Sequence, residues 1–96
     1  MALVHSYDLT AGNGREDALG AALEALAEAV KSIAGSQGAM VLRDRKETSR
    51  FLFLEFWDNE ESRKAAGSQL PKDVMGQIMG AVAGPLKMAD FDRIAG

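Results

Sequence analysis

The sequence predicts an α+β fold, a four-stranded antiparallel sheet with helices on one face. Three observations predict it: an apolar stripe at helical spacing, a strand apolar on both faces, and the element order strand, helix, strand, strand, broken helix, strand. At 96 residues the chain is expected to form one domain, residues 1–96, since a second would have too few residues for its own core.

Residues 2–9 contain β-branched and aromatic side chains and stop at the turn cluster Thr10, Ala11, Gly12, Asn13, Gly14, which reads as a first strand. Asn13 with Glu16 three residues later makes a helix start, the Asn side chain accepting from an orphan backbone N–H. Glu16 and Asp17 place negative charge at the positive helix end. Leu19, Leu23, Leu26, Val30 and Ile33 then recur at alternating spacings of four and three, and Gly35 is placed to end the helix.

Residues 38–45 read as a second strand, with Met40 and Leu42 on one face and Val41 and Arg43 on the other. The polar Lys46, Glu47, Thr48 and Ser49 form a connection of hairpin length. The third strand, residues 50–57, sends Phe51, Phe53, Glu55 and Trp57 one way and Leu52, Leu54 and Phe56 the other. Asp58 or Asn59 caps a short helix through Ala66, which Gly67 and Ser68 break. Pro71 opens a further helix carrying Val74, Met75, Ile78, Met79 and Val82, ended by Gly84 and Pro85. Residues 86–94 form the last strand. This order suits a split βαβ sandwich with strands one and three central. Helices cover only one side of strand three, so its other apolar side predicts a homodimer packed sheet face against sheet face.

Composition narrows the chemistry. With no cysteine, thiolate nucleophiles, disulfides and cysteine zinc sites are excluded. One histidine rules out the usual multi-histidine metal cages. A net charge of −3 gives no basic face for nucleic acid. The N-terminus has neither the basic lead nor the long apolar run of a signal peptide or membrane anchor, so a cytoplasmic protein is expected.

The stretch from Gly38 through Arg50-Phe51-Leu52-Phe53-Leu54-Glu55-Phe56-Trp57-Asp58-Asn59-Glu60-Glu61 resembles the antibiotic biosynthesis monooxygenase domain, whose pattern is a strand ending Glu-x-Trp before an acidic helix start. The first strand, the long first helix and the last strand are similar too. The resemblance implies the ferredoxin-like, dimeric α+β barrel fold. It also implies oxygenation of a phenolic or quinol-type substrate without flavin, haem or metal. Many members carry a His nine residues after the Trp, and Ala66 stands there in this chain. Haem-degrading members need that His as an iron ligand, so the haem reading falls away.

Each candidate site residue has an ordinary alternative. Trp57 is either a pocket wall that stacks on a flat ring or a core aromatic. His5, which the resemblance places on the ligand-facing side, is either a base near neutral pH or a hydrogen-bonded strand residue. Tyr7 shares its face and either donates to an oxyanion or packs in the core. Phe53 and Glu55 share the face of Trp57, and Glu55 calls for an ion pair with Arg43, Arg50 or Arg93 unless its pKa is raised. Met75, Met79 and Met88 suit a polarisable pocket lining, or simply the core. Gly76, Gly80 and Gly84 imply either close packing on the sheet or a cavity. Gly12-Asn13-Gly14 lacks the full spacing of a phosphate-cradling turn.

The expected function is a cofactor-independent monooxygenase acting on a polycyclic phenol, anthrone or quinol. His5 is the expected base, Trp57 and Tyr7 its ring and oxyanion contacts, and Phe53, Glu55, Met75 and Met79 further substrate contacts. The alternative is a non-catalytic small-ligand-binding barrel that has lost the family's helix histidine. Expected partners are a second copy and a small aromatic molecule, with no nucleic acid, membrane or cofactor.

Overall fold

The computed structural model describes residues 2–96 and contains seven main elements in the expected order. They are β1 (Leu3–Thr10), α1 (Glu16–Lys31), β2 (Ser36–Arg43), β3 (Arg50–Trp57), α2 (Glu60–Ala66), α3 (Lys72–Ala81) and β4 (Lys87–Asp92), with a short 3-10 turn at Gly67–Gln69 between α2 and α3. The strands form one antiparallel sheet in the order β2-β3-β1-β4, so β1 and β3 are central. Among the described residues no helix is long and apolar enough to cross a membrane.

The apolar stripe of α1 builds the core. Leu19, Leu23, Leu26 and Val30 are fully buried, and burying each side chain contributes about 1.5–3 kcal/mol. They meet the inner face of the sheet, where Leu3, Tyr7 and Leu9 of β1 and Phe51, Phe53 and Trp57 of β3 are also buried. The strict alternation along β3 puts Leu52, Leu54 and Phe56 on the outer face, half-buried. There they adjoin Met40 and Leu42 of β2 and Phe91 of β4, all exposed.

Several local expectations are corrected. Asn13 does not cap α1; Gly14 turns the chain at a φ of +75°, and the helix starts two residues later behind Arg15, without a side-chain cap. The Gly12 N–H instead donates to the Ala81 carbonyl, tying the start of α1 to the end of α3. Gly35 does not end α1, which stops at Lys31; its φ of +85° makes the turn into β2, and that strand begins at Ser36. Helix α3 ends at Ala81 rather than at Gly84, because Val82 turns extended and bridges to Ala11. Gly76 and Gly80 lean on neither sheet nor cavity, since a Cβ at either would meet nothing within 4 Å. Asn59 does cap α2, its side chain accepting from the Ser62 N–H at 2.8 Å.

Gly35 is where α2 closes on the sheet. Its carbonyl accepts from the Asp58 N–H at 2.9 Å, and a Cβ there would run into Ser62 and come within 2.7 Å of Asp58 Oδ1. Gly14 has a similar φ but open space around it. Gly14→Ala should therefore lose only the left-handed backbone penalty, about 1–2 kcal/mol. Gly35→Ala should lose about 2–5 kcal/mol, because crowding adds to that penalty. Urea unfolding of both variants checks this, and equal losses would refute the close contact.

Candidate functional site

The two central strands set their inward residues opposite one another. His5 pairs with Glu55, Tyr7 with Phe53, and Leu3 with Trp57. On the other edge of β1, β4 brings Asp90 opposite His5 and Met88 opposite Tyr7. Directly opposed residues on one sheet face stand about 4.5–5.5 Å apart at Cβ, so this register gathers the polar groups into one cluster.

His5 is buried, and its Nδ1 lies 2.6 Å from Asp90 Oδ1. With Asp90 ionised, Nδ1 carries the proton and donates, which leaves a lone pair on Nε2. Arg63, projecting from α2, brings Nε to 3.5 Å from the same Asp90 oxygen, an ion-pair distance without a formed hydrogen bond. The edge of the His5 ring meets Tyr7 with centroids 4.8 Å apart and planes at 84°. Tyr7 in turn lies 5.8 Å from the Phe53 ring. Asp90 and Arg63 are absent from the sequence-based site. The available signal for Asp90 is topological: once β4 is laid antiparallel beside β1, register selects it.

Glu55 has none of the arginine partners expected for it. Arg50 is bound by Asp8 and Asp44, Arg93 lies over Phe56, and Arg43 lies over Phe51 while donating to the Thr48 carbonyl. Arg50 and Arg93 serve the outer face, and Arg43 stands at the far end of the sheet. Glu55 Oε1 instead accepts from Trp57 Nε1–H at 3.1 Å. The residue is only 2% exposed, and Oε2 has no hydrogen-bond partner among the described residues. Burial pushes its carboxyl above the usual carboxylate range, against the opposing pull of Trp57, His5, Tyr7 and Arg63. Burial also drives the Tyr7 hydroxyl well above the ordinary phenol value, and the neighbouring Glu55 carboxyl adds to that.

The structure thus brings His5, Tyr7, Phe53, Glu55 and Trp57 together on one face. Met75 joins them by lining a small apolar space with Tyr7, Leu9, Leu23, Leu26, Ile78 and Leu86. That space measures about 10 Å³, enough for a water at most, so a ring enters only if side chains or α3 give way. Met79 lies outside this group, 54% exposed on α3, and Met88 is 63% exposed on the edge strand. Ala66 is buried at the end of α2.

Residues 5–69 match the antibiotic biosynthesis monooxygenase family. The fold is similar to that of Rv0793 from Mycobacterium tuberculosis, with a TM-score of 0.84 at 11% identity over 100% of this chain and 98% of that one. It is similar to SnoaB, a cofactor-independent oxygenase from Streptomyces nogalater, with a TM-score of 0.83 at 10% identity over 99% of this chain and 95% of the other. A protein from Chloroflexus aurantiacus described under the same family name has a TM-score of 0.82 at 26% identity, covering 100% and 96% of the two chains. No curated protein sequence matches at a significant level. The family match spans more than half of the chain and includes the strand end Glu55-Phe56-Trp57 and the acidic start of α2, and on that ground the chain belongs to the antibiotic biosynthesis monooxygenase family.

Proposed function

We propose that this protein is a cofactor-independent monooxygenase that oxidises an anthrone, quinol or related polycyclic phenol. The observation that carries this reading is the buried His5 held at 2.6 Å by Asp90 within a face of aromatic side chains. A base in that setting removes a proton from an acidic ring position, and the ionised Asp90 stabilises the imidazolium that forms. The resulting carbanion is electron-rich enough to reduce dioxygen by one electron, and the radical pair combines into a peroxide at the ring carbon. Loss of the second ring proton with cleavage of the O–O bond leaves a carbonyl and water. The substrate supplies all the electrons. The apolar walls from Tyr7, Leu9, Met75 and Ile78 keep water from quenching the anion. Trp57 and Phe53, both buried on this face, give the ring its flat surfaces.

The same reading includes a homodimer. The outer face carries a groove of about 330 Å³ lined by Leu52, Leu54, Ala89 and Phe91, with Ser6, Asp8, Arg50 and Lys87 at its polar margin. Apolar sheet surface of this kind is covered in a stable protein, and a second copy covers it symmetrically.

Oxygen uptake with an anthrone should proceed without added flavin or metal and survive a chelator. His5→Ala should lose about 10²–10⁴ in rate, the usual contribution of a positioned base. Asp90→Asn should also lower kcat. Both variants should still bind the ring, seen as quenching of Trp57 fluorescence. Undiminished turnover in His5→Ala would move the base elsewhere, and saturable binding by wild type without oxygen consumption would establish the non-catalytic alternative. Light scattering on a sizing column should give about twice the chain mass at micromolar concentration, with Leu54→Lys shifting the protein to monomer. A monomer at every concentration would remove the dimer.

A further inference from the structure

We propose that Glu55 is the second proton-transfer group of this site: working through the Tyr7 hydroxyl, it returns a proton to the peroxide oxygen formed once the ring anion has captured dioxygen. The inference rests on the oxygenase reading above and assigns the half of the reaction that His5 leaves open.

Two titratable groups stand directly opposed across β1 and β3 yet in contrasting surroundings. His5 leans on the half-exposed Asp90, with Arg63 behind it. Glu55 is sealed inside, and no lysine or arginine donates a hydrogen bond to it among the described residues. Its Oε1 is satisfied by Trp57, whereas Oε2 has nothing to accept. A buried, ionised oxygen left bare is expensive, and a proton on Oε2 removes that cost and makes it a donor. Tyr7 is the diagonal neighbour of Glu55 across β1 and β3 on the same inner face, within reach of the carboxyl. The charged and titratable groups facing Glu55 are His5 and Tyr7 from β1 and Arg63 from α2, with Asp90 of β4 one step further, beside His5 and Tyr7. None of their pulls outweighs burial, so the Glu55 carboxyl is held above the usual carboxylate range and the Tyr7 hydroxyl above the usual phenol range. The contrast lies in the surroundings, a half-exposed carboxylate beside His5 and a sealed, unpartnered oxygen on Glu55, and it gives the two opposed groups separate roles.

The step balances. His5 Nε2 takes the first ring proton, and the anion adds dioxygen to form a C–O bond and a terminal peroxide anion. Tyr7 gives its proton to that oxygen and is reprotonated by Glu55, leaving a hydroperoxide and a Glu55 carboxylate. The second ring C–H then breaks, its electrons forming the carbonyl as the O–O bond cleaves. Its proton returns to Glu55 through Tyr7, while the departing hydroxide takes the proton from His5 and leaves as water. One ring CH2 and one dioxygen become one carbonyl and one water, and both groups regain their starting states.

Glu55→Gln keeps an acceptor for Trp57 but has no transferable proton, and Tyr7→Phe breaks the relay without touching Glu55. Mixed with an anthrone in the absence of oxygen, both variants should still form the coloured ring anion, because His5 is intact in each. On admission of oxygen both should consume it but release quinone about 10²-fold more slowly, with peroxide accumulating. A second readout needs no activity. A carboxyl whose folded pKa is raised stabilises the fold fully below its unfolded value, about 4.3, and that contribution is lost as pH rises. The melting temperature of Glu55→Gln relative to wild type should therefore climb between pH 4 and pH 8. Quinone release at the wild-type rate in Glu55→Gln, or a melting difference that does not change with pH, would overturn the assignment. Failure of wild type to form the anion or consume oxygen would instead overturn the base reading, and this inference with it.

Discussion

The inner face of this sheet depends on β1 being hydrogen-bonded along both edges. Its partner on one side, β3, carries Glu55 opposite His5, and its partner on the other, β4, carries Asp90 opposite the same residue. A slip of one residue in either pairing would turn every side chain of the slipped strand to the other face. A slip of β4 would take the carboxylate that orients the imidazole off the inner face, and a slip of β3 would take Glu55 off it. Register is therefore the source of the site's chemistry as well as of the fold.

What holds the register is burial on one side only. The α1 stripe and the alternating aromatics of β3 are buried together, so the inner face has a single favourable alignment. That burial also tolerates the unfavourable terms of the site, a carboxyl with a bare oxygen and a guanidinium Nε without an acceptor, each costing about 1–3 kcal/mol. The outer face has no such cover. Its apolar residues are half-buried or exposed, and β4 is exposed along its whole length, which makes that end of the sheet the open side of the cluster.

Much of the fold was legible because hydrophobic periodicity carries it. The stripe from Leu19 to Val30 and the alternation in β3 gave the right elements, the right inward set and the central pair of strands. Helix ends were less legible, since Asn13 and Gly35 have cap-like chemistry but are used as turns, a choice made by tertiary contacts at Ala81 and Asp58. Of the candidate site, His5, Tyr7, Phe53, Glu55 and Trp57 share one face as their spacing required. Asp90 was invisible along the chain, being 85 positions from His5 and one of fourteen acidic residues. The partner of Glu55 was misread for a related reason: arginines nearby in sequence proved to face the outer side or the end of the sheet, while Trp57, two residues away on the same face, satisfied it.

The proposed chemistry requires Asp90 to hold His5 with its proton on Nδ1 and a free lone pair on Nε2. Long-range proton–nitrogen correlation of the single imidazole reads this directly, at a pH where the ring is neutral. A protonated Nδ1 and a bare Nε2 are expected in wild type, with that tautomer preference weakened in Asp90→Asn. A protonated Nε2 with a bare Nδ1, unchanged in Asp90→Asn, would contradict it.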